Sequence, residues 1–218
     1  MTENKNTDMG KGAARRAMTV AYEVDGALYL NLTNRCNNNC VFCIRKNGDG
    51  AYGSDSLWLI REPTLDEAMS ELFSRSLDTY SELVFCGYGE PAMRLDDCIS
   101  LARAVKARYP SLKIRINTNG TADIIHGRDT SSDFSVFDTV SISLNAPTSA
   151  RYDEISHPVL NFSPFSAILT FAENVNKCVH NTIFTVVGDF LSCDELAACQ
   201  ALADKMGIPL RVRDYIAE

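Results

Sequence analysis

The sequence predicts an α/β protein, an open, partial (β/α)6 barrel of the TIM-like kind entered through a short N-terminal β-hairpin. Three observations predict it. Strand-like runs alternate with helical stretches along most of the chain, the pattern of βα units on a parallel sheet. Residues 19–33 alternate apolar and polar side chains on both sides of Asp25-Gly26, a two-residue turn signal that places a hairpin before the first unit. Six core strands in about 200 residues fall short of the roughly 250 that a closed eight-fold barrel takes, so the sheet stays open.

Each element follows in order. Residues 1–17 mix Asn, Lys, Thr, Gly and Arg without periodicity and are expected to form a mobile tail, which leaves 18–218 as one core domain. The second hairpin arm delivers the chain into Cys36-Asn37-Asn38-Asn39-Cys40-Val41-Phe42-Cys43. After Pro63, Thr64-Leu65-Asp66-Glu67 is a capping box, and Leu65, Ala68, Met69, Leu72 and Leu77 follow at helical spacing. A strand at 83–86 runs into Gly87-Tyr88-Gly89-Glu90-Pro91, and Leu95, Cys98, Ile99, Ala102 and Val105 mark one face of the next helix. Strand 112–118, a loop, strand 137–144, helix 164–179, strand 182–187, helix 193–206 and strand 209–213 complete the series.

Period two along the strands divides their side chains between two faces. Leu28, Leu30, Leu32, Ile114, Ile116, Val140, Ile142, Leu144, Leu210 and Val212 are expected to pack against the helices. The opposite face carries Tyr29, Asn31 and Thr33, then Lys113, Arg115, Asn117 and Asn119, then Ser141, Ser143 and Asn145, then Arg211 and Arg213. A lumen so lined is a binding cavity, and its four cations suit a carboxylate or a phosphate. The competing reading of Arg211 and Arg213 is a charged edge strand that discourages sheet pairing.

Composition narrows the function classes. With 45% hydrophobic and 22% charged residues, 218 residues suffice for one domain with a real core. A formal net charge of -7 speaks against a broad nucleic-acid or anionic-membrane surface. No run of 18 apolar residues and no apolar leader is present, so the expected location is the cytoplasm, where eight cysteines serve metal binding or packing rather than disulfides.

The strongest functional signal is the three-thiol loop. Cys36, Cys40 and Cys43 can hold three corners of a [4Fe-4S] cluster and leave the fourth iron open for a ligand. The intervening Asn residues suit a wrapping loop, because Asn tolerates left-handed backbone and offers side-chain hydrogen bonds. A structural zinc knuckle would need a second ligand pair, yet His126, His157 and His180 stand alone, and Cys86, Cys98, Cys178, Cys193 and Cys199 show no CxxC spacing.

This CxxxCxxC loop, with an aromatic before its last Cys, resembles the signature of radical S-adenosylmethionine (SAM) enzymes, and the later motifs extend the resemblance over residues 27–213. It implies that Cys36, Cys40 and Cys43 bind the cluster and that Gly87, Tyr88, Gly89 and Glu90 form the element that holds the methionine amino group. It further implies that Asn117, Thr118, Asn119, Ser143 and Asn145 contact ribose and carboxylate, and that Phe42 and Val187 lie against the adenine. Tyr29 to Cys36, the Gly-Tyr-Gly-Glu-Pro run, His126-Gly127-Arg128-Asp129 and Ser143-Leu144-Asn145-Ala146-Pro147 resemble the short TatD-associated radical SAM proteins.

The implied activity is reductive cleavage of SAM to a 5'-deoxyadenosyl radical that takes hydrogen from an unidentified substrate, a small molecule or a peptide or protein, for which the lumen cations suggest an anionic group. The implied electron donor is a flavodoxin or ferredoxin, with Arg35, Arg45 and Lys46 as docking candidates. His126, Arg128 and Asp129 are candidate substrate contacts, Arg151 and Tyr152 weaker ones, and Cys86 a candidate hydrogen donor. The alternatives are a non-catalytic iron-sulfur redox or iron sensor and an activase for a glycyl-radical partner.

Overall fold

The structure, a computed structural model, describes residues 17–216. A single seven-stranded sheet runs in the order β1-β2-β3-β4-β5-β6-β7. Its first two strands, β1 (Ala21–Val24) and β2 (Ala27–Leu30), form the antiparallel hairpin. Asp25 and Gly26 have φ of 48° and 77°, the left-handed pair that a type I′ turn demands. From β2 onward every pairing is parallel, through β3 (Glu82–Phe85), β4 (Lys113–Thr118), β5 (Thr139–Ser143), β6 (Asn181–Val187) and β7 (Leu210–Arg213).

Each strand lies beside its predecessor, and helices make the crossovers: α1 (Leu65–Phe73), α2 (Leu95–Arg108), α3 (Ala122–His126), α4 (Ser149–Ser156), α5 (Phe165–Cys178) and α6 (Cys193–Met206). Crossovers of one hand with no reversal of strand order put the helices on one face and curl the sheet. β7 never meets β1, so the barrel is partial and open.

The main core lies between sheet and helices. Leu28, Leu83, Ile114, Val140 and Phe184 are fully buried from the strands, as are Leu101, Val105, Phe134 and Phe171 from the outer layer. Each such side chain contributes about 1.5–3 kcal/mol of apolar burial. The capping box at Thr64 and Glu67 is present at α1, and Ser192 with Glu195 makes a second at α6. Among the described residues, no helix is long and apolar enough to cross a membrane.

Several expectations need correction. Leu77 belongs to a separate 3-10 turn rather than to α1, although it is fully buried. The stretch after β4 contains α3 and a 3-10 turn over Ser131–Val136, and α4 was not anticipated. Val212 is 52% exposed instead of packed under helices, because β7 is the sheet edge. Lys113 sits at the start of β4 and pairs with Asp138 at 3.5 Å, away from the lumen. Of the expected tail, residues 1–16 lie outside the described residues, whereas Ala17 bridges to Leu59.

A second, smaller cluster forms on the other face of the hairpin. Tyr22, Val24, Ala51, Leu57 and Tyr88 are buried together there. The segment that follows the cysteine loop thus folds back over β1 and β2 and walls one side of the lumen.

Candidate active site

A cavity of about 640 Å³ opens at the carboxyl ends of the parallel strands, within the usual range for ligand pockets. Its wall combines Cys40, Phe42 and Cys43 with Gly87 to Glu90, Asn117 to Asn119, Ser143 and Val187. Distant stretches of sequence are brought together because each sits just past the end of its own strand.

The cysteine loop is held from two sides. On one, Asn119 Nδ2 donates to Asn37 Oδ1 at 2.7 Å, and Asn37 Nδ2 donates to Thr121 Oγ1 at 2.8 Å. On the other, Asn38 Nδ2 donates to the Tyr152 hydroxyl at 2.8 Å, and the Val41 amide donates to the Ile155 carbonyl at 2.8 Å. Asn37, Asn38 and Asn39 all have negative φ, so their use is the side-chain and backbone bracing, not left-handed backbone. Arg45 and Lys46 donate to the Asn38 and Asn39 carbonyls at 3.1 Å, and Arg35 forks onto Glu62 at 2.7 and 3.0 Å. Arg45 and Lys46 therefore brace the loop, and Arg35, the residue before it, is tied to Glu62.

Burial, with the Glu90 charge second, pushes the Cys36 thiol up to about 12, and burial with neighbouring Cys43 pushes Cys40 up to about 11. Thiols so placed ionise for a bound metal rather than for water. Among the described residues, no three Cys, His, Asp or Glu side chains converge on a point where one ion would sit. A cubane makes no such demand, since each thiolate takes a separate iron.

Glu90 is 4% exposed and closes the wall beside the loop. Its Oε1 accepts from Thr118 Oγ1 at 2.7 Å and the Ala92 amide at 3.0 Å, and its Oε2 accepts from the Asn119 amide at 2.7 Å. Burial raises its pKa and these hydrogen bonds oppose the rise. No cationic side chain pairs with it among the described residues, so a carboxylate lines the cavity uncompensated. That arrangement fits the ammonium of an amino-acid ligand.

A family model described as the Radical SAM superfamily matches residues 30–198. The chain belongs to the radical SAM superfamily. Its cofactors are a [4Fe-4S] cluster and SAM. Similar solved structures include SuiB of Streptococcus suis bound to the precursor peptide SuiA, at 17% identity and a TM-score of 0.64 over 88% of this chain and 39% of that one. They include anSMEcpe with bound AdoMet, at 17% identity and 0.59 over 86% and 50%, and a radical SAM methyltransferase from Sphaerobacter thermophilus, at 14% and 0.58 over 89% and 68%. Such identities establish the fold, and this radical SAM chain spans half or less of the first two proteins. No curated protein matches.

Other expected SAM contacts fall in two groups. Phe42 meets Phe190 at 5.4 Å between centroids, and Phe190 meets Tyr215 at 5.2 Å, so an aromatic row runs from the cysteine loop to the end of the described chain. Ser143, Val187 and Asn117 line the same cavity. Thr118 and Asn119, by contrast, spend their hydrogen bonds on Glu90, Asn37 and one another's turn. Asn145, at φ 61°, donates to Ser156 Oγ at 3.0 Å, lies off the cavity wall and keeps a buried Oδ1 without a partner.

The glycines and Tyr88 line the cavity and also serve packing. A Cβ on Gly87 would stand 2.2 Å from Asn31 Oδ1, and one on Gly89 would stand 2.3 Å from the Thr33 carbonyl. Glycine is needed so that the turn after β3 can press on the chain leaving β2. Tyr88 turns into the smaller cluster, where its hydroxyl donates to the Gly48 or Gly50 carbonyl at 2.9 and 3.0 Å and its ring meets Trp58 edge-on.

The substrate candidates from the His126 loop are off the wall. His126 Nε2 lies 2.9 Å from the Ala92 carbonyl, Arg128 pairs with Asp133 at 2.7 Å, and Asp129 accepts from the Ser131 amide at 2.9 Å. These side chains are engaged within the loop or by its neighbour Ala92. Arg151 pairs with Glu154 and Glu195, and Tyr152 is fully buried under the cysteine loop. Sequence reading missed Tyr22, Tyr52, Thr185 and Tyr215 on the cavity wall; Tyr22, Thr185 and Tyr215 are signalled only by position on or just after a strand, and Tyr52, in the segment after the cysteine loop, by nothing.

Proposed function

We propose that this chain is a radical SAM enzyme in which Cys36, Cys40 and Cys43 hold the [4Fe-4S] cluster and Glu90 receives the methionine ammonium. The observation that carries the reading is a cavity whose one wall joins the thiol loop to an uncompensated buried carboxylate. When bound and reduced, the cluster and SAM supply cleavage of the C5'–S bond to methionine and a 5'-deoxyadenosyl radical, which takes a hydrogen atom from the substrate.

The chain's own residues do the positioning. Asn37, Asn38 and α4 fix the thiols in place, and the donors on Glu90 aim its carboxylate. Phe42 and Val187 offer apolar surface for the adenine, with Asn117 and Ser143 as polar contacts nearby. The segment packed over the hairpin narrows the mouth and excludes water. Electrons come from a flavodoxin- or ferredoxin-type donor. The motif resemblance puts the chain nearest the short TatD-associated proteins. A sensor without turnover has no use for a cavity of this size beside the thiols.

Anaerobic reconstitution with iron and sulfide, followed by reduction in the presence of SAM, is expected to yield 5'-deoxyadenosine. A Cys40→Ala variant that cleaves as fast as wild type would overturn the ligand assignment.

A further inference from the structure

The lumen holds three arginines, and they are not equivalent. Arg115 on β4 is spoken for: Glu82 takes its fork at 2.6 and 3.1 Å, Asn117 Oδ1 accepts from it at 3.1 Å and the Tyr29 hydroxyl lies at 3.3 Å. Arg211 and Arg213 on β7 stand two residues apart, on one face of the strand, and both reach the cavity wall. Neither makes an ion pair or a side-chain hydrogen bond among the described residues. The Nε of Arg213 is buried without a partner.

Edge-strand protection suits the exposed Arg211 but does not account for Arg213. Cations that guard a sheet edge point outward to water. On β7, Arg211 and Val212 are both exposed, whereas Arg213 is half-buried and holds its guanidinium within electrostatic range of Cys86 and Tyr52. A buried guanidinium donor without an acceptor is penalised by about 1–3 kcal/mol or more, and folded proteins leave few such groups unsatisfied. A ligand oxygen would remove the penalty, and a planar fork suits a carboxylate or phosphate in two-point contact.

We infer that Arg213, with Arg211 beside it, is the recognition site for an anionic group of the substrate, a carboxylate or a phosphate. The inference rests on the proposed reading of this cavity as the seat of cofactor and substrate together. It assigns the anion to β7, and it removes Lys113 and Arg115, which already have carboxylate partners.

The test is an equilibrium titration of the anaerobically reconstituted protein with inorganic phosphate, succinate and neutral succinamide, followed by calorimetry. SAM is titrated separately, so a failure of the cofactor reading appears as lost SAM binding with anion binding intact. Wild type is expected to bind phosphate or succinate saturably at about millimolar concentration and to ignore succinamide. The tighter of the two anions names the class. Arg213→Gln is expected to weaken that anion about tenfold or more and Arg211→Gln about threefold, with SAM affinity unchanged within about twofold. Arg213→Lys, which keeps charge but loses the fork, is expected to fall between. Arg211→Gln lies at an exposed position and keeps the test open should Arg213→Gln fold poorly. Absence of saturable anion binding, equal binding by wild type and both Gln variants, or loss of SAM affinity in step with the anion would overturn the inference.

Discussion

Two walls of one cavity carry opposite uncompensated charges. At the ends of β3 and β4, the Glu90 carboxyl is ringed by three neutral donors and, among the described residues, meets no cation. On β7, Arg213 is a cation that meets no anion among the described residues, and its Nε is buried without a partner there. The first is finely supported, and the second is bare. The difference teaches that the Glu90 wall is preorganised before a ligand arrives, whereas the β7 wall is completed by its ligand. The His126 loop marks the opposite limit, since its charges are satisfied within the loop or by its neighbours and nothing remains to bind with.

The comparison can be broken at several points, beginning with the largest effect. Cys40→Ala is expected to reduce iron content sharply and to bring 5'-deoxyadenosine formation to background, as measured by iron assay and product chromatography. Glu90→Gln keeps the volume but turns an amide NH2 toward the Thr118, Ala92 and Asn119 donors, so at least one of them loses its acceptor. SAM affinity is expected to drop about tenfold to a hundredfold with the cluster retained, followed by titration of the visible spectrum.

Tyr152→Phe removes the acceptor of Asn38 Nδ2, whose Oδ1 already lacks a partner. About 1–3 kcal/mol of stability should be lost, a drop in Tm of about 2–4 °C per kcal/mol by calorimetry. Smallest is the double change His126→Ala with Arg128→Ala, expected to leave SAM cleavage unaltered, with each substitution altering stability by about 1 kcal/mol or less. A large loss of cleavage there would restore the loop to the active site.

Much of this was legible in the residues. Asp25-Gly26 announced the hairpin, and alternating strands and helices announced the six parallel strands, because turn chemistry and periodicity are local. The helix α4 was not legible. Only Tyr152, Ile155 and Ser156 of its eight residues are buried, too short a stripe to register as a period. The thiol loop could be read from spacing, but its braces could not, since Tyr152 and Thr121 lie 114 and 84 residues from the Asn side chains they meet. For the same reason the polar lumen of β4, β5 and β7 was foreseen while its division into a satisfied Arg115 and an unsatisfied Arg213 was not. That division depends on Glu82, a partner on a neighbouring strand.

The central claim is that one iron of the cluster is open and that Glu90 helps a SAM molecule onto it. It is tested most directly by adding SAM to the reduced, anaerobically reconstituted protein and recording the electron paramagnetic resonance of the cluster. The account predicts a changed spectrum for wild type, and for Glu90→Gln the same change only at much higher SAM. A wild-type spectrum that SAM leaves untouched would contradict it.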